Sequence, residues 1–244
     1  MNFFNVNLLN AKQLKNISDL YVYCDNYDNI VYDKFSAEDT ADFDAYILSY
    51  DNDILAGFLL YSQLDGANEI RGIVHPDYRR QGIFSKMISM LKSELNFDDL
   101  IYTGRDFYPG MDKCAASLGC EYCFHDFLME FNPSLFTPSE ALDLDVEFDE
   151  TDNTYYYYLC EELIGSCSIY EENDTINIYE VFVEPSYRNR GYGYQIISDV
   201  LWDLVNSGKN IRLHVTENNT FAVKLYNSCG FEIKDSIVYY THSK

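Results

Sequence analysis

The chain carries the same nine-residue pattern twice, and this duplication limits the fold more than any other feature of the sequence. Val74 to Gly82 and Val183 to Gly191 share a valine, a proline, a tyrosine, an arginine and a glycine at matching places, 109 positions apart. Glycines before and after the pattern recur at nearly the same offset. An offset that holds across several landmarks indicates two copies of one domain-sized unit. The sequence therefore predicts two domains, residues 1–133 and 134–244.

A glycine-rich turn lies between a predicted strand and a predicted helix in the second copy. Apolar residues predict a strand over 176–183, and helical spacing predicts a helix over 195–205. The turn at 188–193 gathers backbone N–H groups at the start of that helix, where the helix dipole adds partial positive charge. Gly191 and Gly193 lack a Cβ, so their backbone can approach an anion closely. The turn therefore predicts a phosphate site, with a purely structural turn as the alternative.

Basic residues are scarce, and four of them lie in the two turns. The chain has 17 Lys and Arg against 40 Asp and Glu, and residues 114–187 contain neither Lys nor Arg. Nucleic acid is a poor partner for such a chain, because contacts to its phosphates need basic side chains. A cationic substrate suits the negative field, and a generally acidic surface is the alternative. The basic residues of the turns are Arg79, Arg80, Arg188 and Arg190.

The sequence shows no segment of the kind that targets a membrane. The first ten residues do not resemble a signal peptide, and no 18-residue apolar run occurs. We therefore expect no membrane association and a cytoplasmic location, whereas the oligomeric state is left open. The seven cysteines do not form a disulfide pattern. Cys120, Cys123 and His125 lie close together, but no second ligand pair accompanies them, so we expect no metal and cysteines in the core of a strand.

Two motifs resemble the GCN5-related N-acetyltransferase (GNAT) superfamily. The turn at 188–193 matches its signature, Arg/Gln-x-x-Gly-x-Gly/Ala, in full. Residues 218–231 resemble its second motif, in which an asparagine opens a short helix and a tyrosine lies one turn before a Gly-Phe pair. The resemblance covers nearly the whole chain. It implies an α/β (α+β) fold of two tandem GNAT units, each a mixed, mostly antiparallel sheet flanked by helices, with the early helices missing from the second unit.

The same resemblance implies a reaction. It points to an N-acyltransferase that moves an acetyl group from acetyl-CoA, or another acyl group from its acyl-CoA, by direct attack of an amine. The acceptor would be a small-molecule or peptide amine, and the charge of the chain suits a cationic one. A non-catalytic acyl-CoA-binding protein or sensor is the alternative. Retention of the tyrosine of the second motif, Tyr226, favours the enzyme.

The resemblance also implies roles for residues of the second half. Tyr226 would protonate the departing thiolate, with packing or cofactor positioning as the alternative. Glu180 is the candidate base on a strand that is expected to splay from its neighbour, and Asn177, Tyr179, His214 and solvent are alternatives. We expect His214, on an apolar strand, to be a core histidine. The residues expected to bind the cofactor are Phe182, Val183, Arg188, Asn189, Arg190, Gly191, Tyr192, Gly193 and Asn219.

The first half is a degraded copy of the same motifs. Ala115 stands where the second half has Tyr226, Phe84 replaces the last small residue of the turn, and the Gly-Phe pair has become Gly119-Cys120. We expect a structural or substrate-recognition role for this half, and a second, non-catalytic cofactor site stays open. Such a site would use Val74, Arg79, Arg80, Gln81, Gly82, Ile83 and Phe84.

Overall fold

A computed structural model describes residues 1–29, 35–64, 67–95, 99–138 and 144–242. Its helices and mixed, mostly antiparallel strands confirm the predicted fold class. Packing divides the chain into two units, Met1–Cys123 with Val238–Lys244, and Phe124–Ile237. The limits 1–133 and 134–244 follow the duplication along the sequence and stay a prediction. Pro133 and Pro138 also predict a linker over residues 132–142, of which residues 139–142 lie outside the described residues.

The secondary structure has a strand before and a helix after the second turn, as the sequence predicts. The helices are α1 (Ala11–Asp28), α2 (Ile83–Leu95), α3 (Met111–Ser117), α4 (Tyr192–Leu204) and α5 (Thr220–Ser228). The strands are β1 (Asn2–Val6), β2 (Ala45–Asp51), β3 (Ile54–Leu64), β4 (Ala67–Val74), β5 (Ile101–Arg105), β6 (Cys120–Phe131), β7 (Asp145–Asp149), β8 (Thr154–Leu159), β9 (Glu162–Glu172), β10 (Thr175–Val183), β11 (Asn210–Thr216) and β12 (Phe231–His242). Strands β1 and β7 were not expected from the sequence.

The first unit packs one helix on each face of its sheet. Successive side chains of β2 and β3 point to opposite faces of the sheet. Ile47 and Leu59 therefore pack in the core cluster that contains α2. Leu48 and Phe58 pack in the cluster that contains α1. Helix α1 begins at a capping box, in which Asn10 and Gln13 each accept the other's backbone N–H at 2.9 Å. Both faces of this sheet are therefore buried by helices.

The second unit begins with strands. Within the described residues 144–191, β7 to β10 and one 3₁₀ turn occur without an α-helix, as the short second half predicts. Helix α4 buries Ile196, Ile197, Val200 and Leu201 on one face of the sheet, against a floor that includes Ile178. Among the described residues, the core cluster of this unit lies on that face.

Two strands are shared between the units. Residues 120–123 of β6 and 238–242 of β12 belong to the first unit, and the remainder of both strands belongs to the second. In the first unit β12 lies next to β5, and in the second unit β6 lies next to β11. Each unit is thus completed by the strand that comes last in the other half of the sequence.

Candidate functional site

The two turns adopt the same backbone conformation. Arg80 and Asn189 have φ values of 63° and 60°, and Gly82 and Gly191 have φ values of 76° and 91°. A 3₁₀ turn precedes each pair. A run of matching left-handed residues is unusual, and non-glycine residues adopt this conformation rarely. The duplication seen in the sequence therefore extends to the geometry of the turns.

The second turn is shorter than the sequence indicates. Helix α4 begins at Tyr192 rather than Gln195, so Tyr192 and Gly193 form its first turn. Apolar spacing missed this turn because its side chains are only partly buried. Among the residues that the structure describes, none accepts a hydrogen bond from the backbone N–H groups of residues 189–193. These N–H groups lie at the start of a 13-residue helix, where an anion would satisfy them.

Arg188 lies beside these N–H groups. Its Nε donates to the carbonyl oxygen of Val183 at 2.8 Å, and its guanidinium lies 5.8 Å from the ring centre of Phe182. No carboxylate pairs with Arg188 in the described part of the chain. The guanidinium of Arg190 lies 5.6 Å from the ring centre of Tyr187. The second turn therefore carries two exposed cations that aromatic rings support.

Arg79, the counterpart of Arg188, forms an ion pair with Asp28. Its Nε donates to the carbonyl of Val74 at 3.1 Å, but its Nη1 and Nη2 donate to the Asp28 carboxylate at 2.8 and 2.6 Å. Asp28 ends α1 and its side chain is 6% exposed. The charge of Arg79 is therefore balanced within the first unit, unlike that of Arg188.

Strands β10 and β11 separate beside the second turn. Their parallel pairing covers Thr175–Ile178 and Asn210–Leu213, whereas the strands continue to Val183 and Thr216. On the other edge of β10, Glu184 donates to the Ile164 carbonyl of β9 at 2.8 Å. Because neighbouring N–H groups point to opposite edges of a strand, the N–H of Val183 points towards the open edge. The edge therefore offers a fixed donor, as the family resemblance implies.

A β-bulge lies on the same strand. The pairing of β10 with β9 shifts between Tyr179 and Phe182, where β10 holds one extra residue. Glu180 lies in the bulge with a φ of 48°, and its side chain is exposed. The bulge therefore turns Glu180 out of the regular alternation of the strand.

Tyr226 lies on α5, next to the same edge. It is 8% exposed, and its ring lies 5.9 Å from that of Phe231. Burial, with smaller contributions from Cys167 and Cys229, raises the pKa of the Tyr226 hydroxyl to about 12. The hydroxyl is therefore protonated throughout the neutral range.

The ends of α5 match the sequence. Asn219 caps the helix by accepting the Ala222 N–H at 3.2 Å, and Gly230 follows it with a φ of 92°. A Cβ on Gly193 would lie 3.3 Å from Cδ2 of Leu225, the neighbour of Tyr226. Helices α4 and α5 therefore meet closely at the glycine of the turn.

The structure corrects the expectation for His214. Its side chain is 55% exposed, and its Nδ1 lies 2.7 Å from Oδ2 of Asp126 on β6. Leu213 and Val215 are buried, so His214 lies on the opposite face of β11. The strict alternation of apolar and polar residues over 211–216 carried this signal.

A cavity of 470 Å³ lies at the matching place in the first unit. Its wall includes the end of β4, the first turn and α3, among them Val74, Arg80, Gly82, Ile83, Phe84 and Lys113. The Phe84 ring covers Gly72, where a Cβ would lie 2.7 Å from Cε2, and the Gln81 amide donates to the Asp77 carbonyl at 3.0 Å. Ala115, the counterpart of Tyr226, is fully buried and has no hydroxyl. The first unit thus has a cavity at its turn, and the position that matches Tyr226 carries no hydroxyl there.

Metal ligands do not gather in the described parts of the chain. No group of three or more His, Cys, Asp or Glu side chains there could hold a metal ion. Cys120 is buried but Cys123 is exposed, so only the first is a core cysteine. No helix among those residues is both long and apolar enough to cross a membrane.

Known proteins resemble parts of this chain in sequence and nearly all of it in fold. Residues 122–231 match the sequence profile of the Acetyltransferase (GNAT) family. The [Ribosomal protein bS18]-alanine N-acetyltransferase of Haemophilus ducreyi is 27% identical over 99 residues, which are 40% of this chain and 62% of that protein. This chain therefore spans less than two thirds of that relative.

Two solved structures show the likeness of the fold. The GCN5-related N-acetyltransferase from Sphaerobacter thermophilus has a TM-score of 0.77 and 14% identity over 98% of this chain and 95% of that one. A tandem GNAT protein from the clavulanic acid biosynthesis pathway has a TM-score of 0.68 and 14% identity over 98% of both chains. The described chain thus has a GNAT fold over nearly its whole length.

Proposed function

We propose that this chain, of which residues 122–231 match the Acetyltransferase (GNAT) family, is an N-acetyltransferase that uses acetyl-CoA. The acetyl group passes to a primary amine by direct attack, and the second unit of a tandem pair carries the reaction. The observation that carries the proposal is the set of N–H groups at 189–193 beside an open strand edge. A cytoplasmic location stays a prediction.

The residues of the second turn fit the diphosphate of a coenzyme A. The N–H groups of residues 189–193 would bind its oxygens, and Arg188 would supply the charge that the acidic chain otherwise lacks. When bound, acetyl-CoA supplies an activated acetyl thioester. The N–H of Val183 would polarise the thioester carbonyl, and a fixed donor of this kind lowers a barrier by about 3 kcal/mol.

Tyr226 would assist the departing sulfur. Its protonated hydroxyl donates a hydrogen bond as the carbon–sulfur bond breaks. Because burial raises the pKa of this hydroxyl, a hydrogen bond that strengthens in the transition state suits it better than early proton transfer. The sequence-based hypothesis gives the amine proton to Glu180, which is exposed beside the same edge.

The acceptor belongs to the proposal as well. A small-molecule or peptide amine fits the reaction, and the net charge of −23 favours a cationic one by electrostatic steering. Steering weakens with ionic strength, so initial rates with a cationic amine should fall as salt is added. Rates that do not depend on salt would contradict a cationic acceptor.

The direct test measures free CoA in a screen of alkylamines, polyamines and peptides. Amine-dependent release of CoA supports the enzyme. Binding of acetyl-CoA without release for any amine would favour the alternative, a non-catalytic acyl-CoA-binding or sensor protein. Calorimetry tests the first unit separately. Two acetyl-CoA molecules bound per chain would assign a second site to Val74–Phe84. One bound molecule would leave that unit a structural role.

A further inference from the structure

We infer that His214, oriented by Asp126, accepts the proton of the acceptor amine. The inference rests on the proposed acetyl transfer and names a residue for the step that the sequence assigned to Glu180. His214 lies where the two strands part, because the pairing of β10 with β11 ends at Leu213. It is therefore the first residue of β11 beyond the paired segment, where the gap between β10 and β11 begins.

The His214 side chain lies on the face of the sheet away from α4 and α5. Leu213 and Val215 point into the core with α4, and successive side chains of a strand point to opposite faces. The second turn leads into α4, and Tyr226 packs in the same core cluster as α4, so both lie on the face of the sheet that α4 covers. An amine that approaches the open edge from the face of His214 would thus meet the thioester on the side opposite the phosphate turn.

Asp126 fixes the imidazole. Its carboxylate lies on β6, is 18% exposed, and its Oδ2 lies 2.7 Å from Nδ1 of His214. An ionised carboxylate only accepts hydrogen bonds, so in the neutral form of the ring Nδ1 carries the hydrogen and Nε2 has the free lone pair. A carboxylate that orients an imidazole and stabilises its charged form is the arrangement that general bases of this kind use.

Glu180 lacks such support. Its side chain is exposed on a bulge, and no hydrogen bond from the described residues orients it. General bases act through a fixed geometry before their basicity matters. The oriented imidazole is therefore the better placed of the two groups.

Other side chains share the open face with His214. Asn177 and Tyr179 of β10 lie on it, and the Tyr179 ring lies 5.6 Å from that of Tyr170. Two residues before His214, Arg212 donates to Glu130 of β6 at 2.8 Å. The tyrosines form a wall along which the carbon chain of an amine could pack.

The proton balance of the step is simple. The Nε2 lone pair takes one proton from the ammonium form of the acceptor, which frees the nitrogen lone pair for attack on the thioester carbon. The carbon–nitrogen bond forms, the attacking nitrogen releases its second proton, and the carbon–sulfur bond breaks as the sulfur takes up one proton through Tyr226. His214 becomes imidazolium beside the Asp126 carboxylate and returns its proton to solvent.

Three variants test the assignment with the alkylamine that releases CoA fastest. His214→Ala should lower kcat about 100-fold, the scale of a general base, with an unchanged Kd for acetyl-CoA, and added imidazole should restore part of the rate. Asp126→Asn should lower kcat about 10-fold. Arg212→Gln removes the ion pair with Glu130 on the same strand and face, and should leave kcat unchanged. Full activity of His214→Ala, or its loss without rescue, would overturn the assignment.

A second measurement needs no acceptor and is independent of the proposed reaction. Nitrogen chemical shifts of the His214 ring should show the Nδ1–H form in the wild type, and Asp126→Asn should shift this ring toward the Nε2–H form. An Nε2–H ring in the wild type would overturn the assignment even if acetyl transfer occurs. Failure of the amine screen with the expected ring form would remove the acetyl-transfer proposal and with it the role of His214 as base, and would leave only the orientation of His214 by Asp126.

Discussion

Nε of Arg188 lies 2.8 Å from the carbonyl oxygen of Val183, and this bond fixes the arginine at the end of β10. Nε of Arg79 makes the same bond to the carbonyl of Val74, but its Nη1 and Nη2 donate to the carboxylate of Asp28. One arginine position thus serves two purposes. It joins the turn to α1 in the first unit. In the second unit, whose described residues 144–191 hold no α-helix, the guanidinium has no carboxylate partner among the described residues.

Arg188→Gln should weaken acetyl-CoA binding. The change removes one charge-assisted hydrogen bond, about 1.5–3 kcal/mol, so Kd should rise roughly 10- to 100-fold. Calorimetry measures this change. Lys234→Gln removes a positive charge at an exposed pair with Glu232 and is the control. Equal affinities of the two variants would show that net charge, rather than contact with Arg188, holds the cofactor.

Tyr226→Phe should slow turnover and barely change cofactor affinity. The variant keeps the ring that packs on Phe231 and removes the hydroxyl that we place at the sulfur. We expect kcat to fall about 10- to 100-fold with Kd within about twofold, since removal of an interaction made only in the transition state lowers kcat. Steady-state kinetics beside calorimetry measures both. Unchanged turnover would leave Tyr226 a packing residue.

Tyr226 should also make stability depend on alkaline pH. Its hydroxyl has a pKa of about 12 in the folded chain, because burial raises it from 10.0. The folded state therefore holds the proton more tightly than the unfolded state. Its stabilising effect is complete below pH 10 and is lost as pH rises to 12, on the order of 3 kcal/mol.

Urea unfolding between pH 8 and 11.5, compared for wild type and Tyr226→Phe, measures this effect. The wild type should lose stability more steeply than the variant above pH 10. If the free energy of unfolding fell equally with pH in both proteins, Tyr226 would ionise with the same pKa in the folded and unfolded chain.

Gly193→Phe should close the cofactor slot of the second unit. Phenylalanine is the residue at the matching place of the first copy, Phe84, and even a Cβ at 193 would lie 3.3 Å from Leu225. Affinity for acetyl-CoA should fall at least about 10-fold. Circular dichroism confirms that the variant is folded. Binding of wild-type strength by a folded variant would place the cofactor elsewhere.

The sequence predicted the local features of the site. The left-handed glycine of the turn, Gly191, the cap at Asn219 and the end of α5 at Gly230 depend on residues within a few positions, and the structure contains all three. Periodicity also predicted the bounds of β10 and α4 to within about three residues. The start of α4 was wrong because its first turn buries few side chains.

Features that depend on distant partners escaped the sequence. The bulge at Glu180 needs the register of β9, and the link between Arg79 and Asp28 joins residues 51 positions apart. The sharing of β6 and β12 between the units could not be predicted, because hydrophobic alternation shows that a strand forms and not which strand it pairs with. His214 was misjudged although its neighbours alternate clearly.

The sharing of the final strands has a consequence for synthesis on the ribosome. Residues 238–242 emerge more than 100 positions after β5, yet they complete the sheet of the first unit. The nascent first unit must wait with an unpaired strand edge, which is a hazard for aggregation. Such a chain cannot finish folding its halves one after the other, and its maturation should benefit from chaperones that shield an exposed β-edge during translation.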